Sequence, residues 1–318
     1  MAPIRAHAHP RIGILGNPSD GYGGRVLSLA FTNFEAKVEL SDEGPTAQEL
    51  FDRLERGRAE GLEALTSAAA RRFDRAHPLP SSARLGFSAT TSIPRQVGMA
   101  GSSALVTAAL RALAARTGQP LTPRELALLA WEAETEELGI TAGPQDRVSQ
   151  AHGGLLEMDF SKPWGQDSFC YLDPALLPPL LIAWDPDPGA PSGDVHDTVR
   201  ERHLAGEELV VEAMKQFPRL TLDGVSALER GDRASFLECM NSNFDTRARI
   251  WSLSERDLEL IAIGRELGCA TKFTGSGGAI VCAAPDLAAL ERAEAAYADQ
   301  SLPTIRPDAA PAVTELNS

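Results

Sequence analysis

Residues 94–104, Pro-Arg-Gln-Val-Gly-Met-Ala-Gly-Ser-Ser-Ala, constrain this chain more than any other stretch. Glycines at 98 and 101 let the backbone bend so that its N–H groups converge on one concavity. The alanine- and leucine-rich run from Ser102 to about Thr117, stopped by Gly118, reads as a helix. Its free N-terminal N–H groups and the positive end of its dipole would face the same concavity. Together they predict an anion site, with the Ser102 and Ser103 hydroxyls in reach of a phosphate oxygen or a bound cation. An ordinary loop with a serine cap is the plainer alternative. The chain carries no Gly-x-x-x-x-Gly-Lys-Ser/Thr and no Gly-x-Gly-x-x-Gly after a strand, so neither a P-loop nor a dinucleotide site competes.

The rest of the chain frames this loop. The formal charge of -14 disfavours nucleic acid and anionic membrane as partners, and an anionic ligand needs a local positive site. No membrane span or apolar leader stands out, and the four dispersed cysteines, without a CxxC pair, read as buried thiols; a cytoplasmic location is expected. Residues 1–10 read as a loose tail and residues after 303 as weakly ordered. Strands are predicted at 11–16, 25–31, 84–88, 180–184 and 279–283. Helices are predicted over 46–76 with Gly61 as an interruption, over much of 196–267, and at 286–296. Thr122, Pro123 and Glu125 form a capping-box signature for a helix ending near Leu138, with Gly139 as its stop. A short helix should begin at Gln145. The Pro- and Gly-rich stretch 185–193 is a surface loop.

A second glycine cluster, Lys272-Phe273-Thr274-Gly275-Ser276-Gly277-Gly278, precedes the last predicted strand. Alone it could be a tight turn; with the first loop it predicts two walls around one ligand. In order and spacing, residues 11–20, 94–104 and 272–278 resemble the three motifs of the GHMP kinases, the family of galactokinase, mevalonate kinase and homoserine kinase. The resemblance implies an α+β fold of two domains, taken as 1–178 and 179–318, with the active site in the cleft between them. It implies ATP and Mg²⁺ as cofactors and a small sugar as partner; a homodimer is left open. It assigns ATP to Pro94, Gly98, Ala100, Gly101, Ser102, Ser103, Ala104, Lys272, Gly275, Ser276 and Gly277. It assigns Mg²⁺ to Ser103 and to a glutamate late in the helix that follows the phosphate loop, and the facing of the substrate hydroxyl to Asp146. Glu134 is preferred over Glu136 and Glu137, because it shares a helical face with Ala127, Ala130 and Leu138, whereas Glu137 fits a solvated face.

Three further segments look like glucuronokinase, the branch that phosphorylates the anomeric hydroxyl of D-glucuronate: Asn17-Pro18-Ser19-Asp20-Gly21-Tyr22, residues 142–160, and residues 192–200. The implied sugar contacts are Asn17, Asp20, Gly143, Arg147 and Arg95. A uronate carboxylate calls for a guanidinium; Arg95, Arg147 and Arg25 are the candidates. Arg95, beside the phosphate loop, could equally meet ATP phosphates. His196 reads as a helix-start residue and not as catalytic. Galactose, arabinose, a heptose phosphate or mevalonate are the alternative acceptors. A non-catalytic sugar-binding relative would be expected to lose the base or the metal ligand, and this chain keeps both Asp146 and Glu134.

Overall fold

The computed structural model describes residues 2–164, 168–187 and 193–313, the side chains of 193–197 excepted. The strands are β1 (Ile4–Ala8), β2 (Arg11–Leu15), β3 (Arg25–Ala30), β4 (Ala36–Thr46), β5 (Arg84–Thr91), β6 (Leu155–Asp159), β7 (Phe169–Leu172), β8 (Leu180–Trp184), β9 (Ala270–Phe273), β10 (Ala279–Ala283) and β11 (Thr304–Ile305). The helices are α1 (Ala47–Glu55), α2 (Gly61–Ala76), α3 (Gly101–Thr117), α4 (Pro123–Glu132), α5 (Gln145–His152), α6 (Gly193–Leu204), α7 (Glu208–Glu229), α8 (Arg233–Ile250), α9 (Glu255–Glu266) and α10 (Leu287–Asp299).

Three antiparallel sheets run in the orders β1-β4-β5, β2-β3-β6-β7 and β11-β8-β10-β9. Sheets and helices are therefore segregated rather than wound alternately, which is the α+β arrangement. Helix α3 lies against β1, β4 and α2. Its small side chains Ala104, Ala108, Ala109 and Ala112 are all fully buried, so the helix at the phosphate loop is clasped on several sides rather than along one stripe. Helices α7 and α8 pack on each other, and α8 on β9, which carries the chain into the second glycine cluster.

Two expectations about the chain ends are corrected. The 1–10 segment is not a loose tail: β1 pairs with β4 from Ile4↔Leu40 to Ala8↔Ala36. The segment after 303 is also ordered through Val313. β11 pairs with β8, Ala309 bridges to Phe31, and the Val313 N–H donates to the His152 carbonyl at 2.7 Å. Both are short edge pieces whose order comes from partners far along the chain.

The predicted capping box at Thr122 forms, with the Glu125 N–H donating to Thr122 Oγ1 at 3.2 Å and the Thr122 N–H donating to Glu125 Oε2 at 3.0 Å. The helix it starts does not continue as one α-helix to Leu138. It passes at Ala133–Glu137 into a π-helical turn. Such a turn widens the spiral and re-aims the side chains on it, and here it carries Glu134.

Candidate active site

A cavity of about 780 Å³ opens between the loop after β5, the 17–22 turn, the start of α5 and the second glycine cluster. In the first of these walls, Gln96, Gly98 and Ala100 adopt left-handed conformations (φ 60, 73 and 60°). Val97 and Met99 between them are buried and anchor the loop in the core. Alternation of this kind gathers successive N–H groups into a nest suited to an anion. The carbonyls are drawn off elsewhere: Gly98 O accepts from Arg11 Nη1 at 2.7 Å and Thr274 Oγ1 at 3.2 Å, and Ala100 O accepts from Gln150 Nε2 at 2.8 Å. Helix α3 then starts at Gly101, and Ser102 and Ser103 line the cavity at its first turn.

The second glycine cluster touches the first directly. A Cβ on Gly98 would lie 2.9 Å from Ser276 N, and one on Gly275 would lie 2.2 Å from Gly98 O. Only glycine lets the two backbones approach this closely. Arg247 fastens the turn from behind, donating to Gly275 O at 2.6 Å and Ser276 O at 2.8 Å, with its guanidinium 4.5 Å from the Trp251 ring centroid. Burial pulls its pKa down to about 10.

A third part of the lining is built from charged side chains. Two nitrogens of Arg11 reach Asp146 Oδ1, at 2.7 and 2.5 Å, and Asp146 Oδ2 lies 3.9 Å from Arg147 Nη1. Arg147 is buried. Its Nε and Nη2 both meet Glu134 Oε2 at 2.5 Å, and its Nη1 donates to Gly143 O at 3.0 Å. Asp20 Oδ2 accepts from the Gln145 N–H at 3.2 Å, and a Cβ on Gly143 would fall 2.0 Å from that same oxygen, so this position also requires glycine. Burial, reinforced by the neighbouring Asp146 carboxylate, pushes the Asp20 carboxyl up to about 6. Trp131 Nε1 pins the adjoining loop at Ala142 O, 3.0 Å.

The residues present suit a magnesium ion. Glu134 Oε1 is buried and has no hydrogen-bond partner, a costly state for a carboxylate oxygen unless something binds there. Among the described residues no group of three or more His, Cys, Asp or Glu could hold a metal. Magnesium commonly takes one or two protein carboxylates and completes its shell with phosphate oxygens and water.

The cavity gathers Asn17, Asp20, Pro94, Arg95, Gly98, Ala100, Gly101, Ser102, Ser103, Glu134, Gly143, Asp146, Arg147, Gly275 and Ser276 from five chain segments. Ala104, Lys272 and Gly277 do not line it. Ala104 is fully buried in the packing of α3. Lys272 sits behind the wall, where Nζ donates to Gly13 O, Asn17 Oδ1 and Phe273 O at 2.7, 2.7 and 2.8 Å; burial and the guanidiniums of Arg247 and Arg11 hold its pKa well down. Arg25, a candidate for a substrate carboxylate, is spent on Glu157 and Asp159 at 2.7 and 2.6 Å. Glu137 is not solvated: its side chain is 5% exposed and pairs with Arg71, Arg72 and Arg75, while Glu136 pairs with Arg72. Of the three glutamates only Glu134 lines the cavity. The side chain of His196, and Ser192 as a whole, lie outside the described residues.

Sequence reasoning gave no role to Arg11, Tyr22, Arg200 or Arg247, which line the cavity, although each lies in or at the end of a segment that carries the family resemblance. The one available signal for Arg11 is a cation at the head of an otherwise apolar strand, Arg-Ile-Gly-Ile-Leu. Its partner Asp146 is 135 residues away, so spacing cannot reveal the pair.

Two family models match the chain: GHMP kinases N terminal domain over residues 64–154 and GHMP kinases C terminal over 225–301. The chain is similar to Glucuronokinase 1 of Arabidopsis thaliana, with 37% identity over 90% of this chain and 86% of that one. It therefore belongs to the GHMP kinases, which use ATP, generally with Mg²⁺. A second Arabidopsis thaliana protein, Probable glucuronokinase 2, is 38% identical over 87% of this chain and 83% of its own length. Among solved structures, galactokinase from Lactococcus lactis complexed with galactose shares the fold, with a TM-score of 0.79 over 99% of this chain and 95% of that one at 14% identity.

Proposed function

We propose that this protein transfers the γ-phosphoryl group of ATP to the anomeric hydroxyl of D-glucuronate, giving D-glucuronate 1-phosphate. The observation that carries this reading is the meeting of two walls in one cavity, a backbone nest at 96–101 and Asp146, joined by Arg11, in a chain similar to glucuronokinases over most of its length.

In this reading the nest, the α3 N-terminus, Ser102 and the Gly275–Ser276 turn receive the phosphates. The apolar end of the cavity, at Leu62, Leu65, Ile93 and Leu105, suits a purine. Bound Mg²⁺ neutralises charge on the phosphate oxygens, and Glu134 Oε1 with the Ser103 hydroxyl would hold it. Asn17, Asp20 and Gly143 line the sugar's position, and Arg95 stands at the edge of the phosphate loop. Asp146 orients the anomeric hydroxyl through Oδ2 and takes its proton as the new O–P bond forms. Arg11, on Oδ1, fixes the carboxylate in direction. Arg147 supports both acids of this wall, Glu134 directly and Asp146 at longer range. We further propose the division 1–178 and 179–318, since β8, first strand of the third sheet in chain order, begins at Leu180.

ADP release measured with glucuronate, galactose, glucose, arabinose and mevalonate in parallel tests the reading. Glucuronate should give the highest kcat/KM. A neutral sugar turned over better than glucuronate overturns the acceptor, and no ADP release with any of them overturns the kinase reading.

A further inference from the structure

Five arginines line the cavity: Arg11, Arg95, Arg147, Arg200 and Arg247. Three are spent. Arg11 serves Asp146, Arg147 serves Glu134, and Arg247 serves two carbonyls of the second glycine cluster. Each is 6% exposed or less as a residue. Arg95 and Arg200 are exposed, and neither has a carboxylate partner among the described residues.

Their positions divide them. Arg95 belongs to the phosphate loop, three residues before Gly98. Arg200 stands on α6, and its helix is tied to the other side of the cavity: three residues on, the His203 ring meets Tyr22 edge-on, with centroids 4.6 Å apart. Tyr22 closes the turn that carries Asp20 and Gly21, and all three line the cavity. The charge of Arg200 reaches the Tyr22 hydroxyl, where it opposes the effect of burial. Arg200 therefore belongs to the Asp20 side, where an acceptor would lie, and Arg95 to the phosphate side.

In a hexuronate ring the C5 carboxylate and the C1 hydroxyl flank the ring oxygen. A sugar acid with C1 at Asp146 thus presents its carboxylate to the same half of the cavity. A planar guanidinium there can take both carboxylate oxygens, a geometry that a neutral hydroxymethyl group does not match.

We propose that Arg200 is the specificity-determining residue that binds the carboxylate of the sugar acid; this rests on the functional reading above. The carboxylate replaces water around the exposed guanidinium, so the arginine sets KM and the choice of sugar rather than the chemical step.

The test compares Arg200→Gln, Arg200→Lys and Arg95→Gln with the unaltered enzyme, using glucuronate, glucose and ATP as varied substrates. Arg200→Gln should raise KM for glucuronate about tenfold to a hundredfold, with a smaller change in kcat and in KM for ATP. It should narrow the preference for glucuronate over glucose by a similar factor, and Arg200→Lys should recover part of the loss. Arg95→Gln should raise KM for ATP instead. An unchanged glucuronate KM in Arg200→Gln overturns the inference, as does a rise confined to ATP, or glucuronate binding lost in Arg95→Gln alone. If the unaltered enzyme ignores glucuronate, the functional reading falls and this inference with it. If it accepts glucuronate and Arg200→Gln does so with an unchanged KM, only this inference falls.

Discussion

The two walls of the cavity hold charge by different means. The wall at residues 96–103 and 275–276 does so with backbone geometry, left-handed turns and glycines in contact, and Ser102 and Ser103 are its uncharged side chains. The wall at Asp20, Glu134, Asp146 and Arg147 does so with opposed side-chain charges, of which Glu134 and Arg147 are buried, with Arg147 meeting both Glu134 and Asp146 and Arg11 pairing with Asp146. The backbone wall is vulnerable to any added volume and nearly indifferent to pH. The charged wall tolerates no unpaired member, because a buried ion left alone keeps its desolvation cost.

Substitutions can break this contrast. The largest effect is expected on the charged wall from Asp146→Asn, which keeps shape and removes the charge that takes the proton. Turnover should fall about a thousandfold or more, with the far-ultraviolet circular dichroism retained; a folded variant within tenfold of normal would remove Asp146 from the chemistry. Glu134→Gln strands Arg147. It should cost about 3 kcal/mol in denaturant unfolding and raise the Mg²⁺ concentration needed for half-maximal rate. Adding Arg147→Met should return part of the stability while the Mg²⁺ requirement stays high. Recovery of both together would mean that Glu134 acts only as a partner for Arg147.

On the backbone wall, Gly98→Ala combines a left-handed residue, worth about 1–2 kcal/mol, with a Cβ 2.9 Å from Ser276 N. KM for ATP should rise about tenfold while KM for the sugar moves less. The reverse pattern would place the sugar, not the nucleotide, against the glycines.

The smallest effect concerns Asp20. Its carboxyl titrates near 6 when folded, above its ordinary 3.8, so the folded state binds this proton more tightly than the unfolded chain. The stability it contributes is present below the ordinary value and is lost as pH rises through about 6. Ionised Asp20 is thus a burden at neutral pH. Asp20→Asn should raise the melting temperature at pH 7.5 and leave it little changed at pH 4, while lowering kcat/KM. The acid limb of kcat/KM near pH 6 should disappear in that variant; a limb that persists belongs to another group.

The same contrast explains what could be read in the sequence. The glycine wall was legible because its demands are local. Gly98 permits one of the left-handed turns and the helix that follows has a plain composition, whereas the left-handed Gln96 and Ala100 carry no sequence mark and Gly101 already belongs to the helix. The Thr122–Glu125 cap was legible for the same reason. Glu134 and Asp146 were found only with the help of family resemblance, and the π-helical turn that aims Glu134 left no local mark. Its setting is tertiary: Glu132, Glu136 and Glu137 are held against α2 by Arg71, Arg72 and Arg75. Arg11 and Arg247 are ordinary cations until the fold closes, since their acceptors lie 135 and 28 residues away. β1 and the 304–313 segment escaped notice because each is ordered by a remote strand.

Lys272, which touches no ligand-facing surface, has a consequence for motion. One ammonium nitrogen joins the strand before the 17–22 turn, Asn17 at the start of that turn, and the strand before the second glycine cluster. Arg11 adds the carbonyls of Gly98 and Thr274 and the carboxylate of Asp146 to the same knot. Parting any of these segments would leave buried nitrogen donors without acceptors. The nest, the glycine turn and Asp146 therefore travel as one rigid body, and thermal motion at this end of the cavity can change its width only by moving what lies outside the knot.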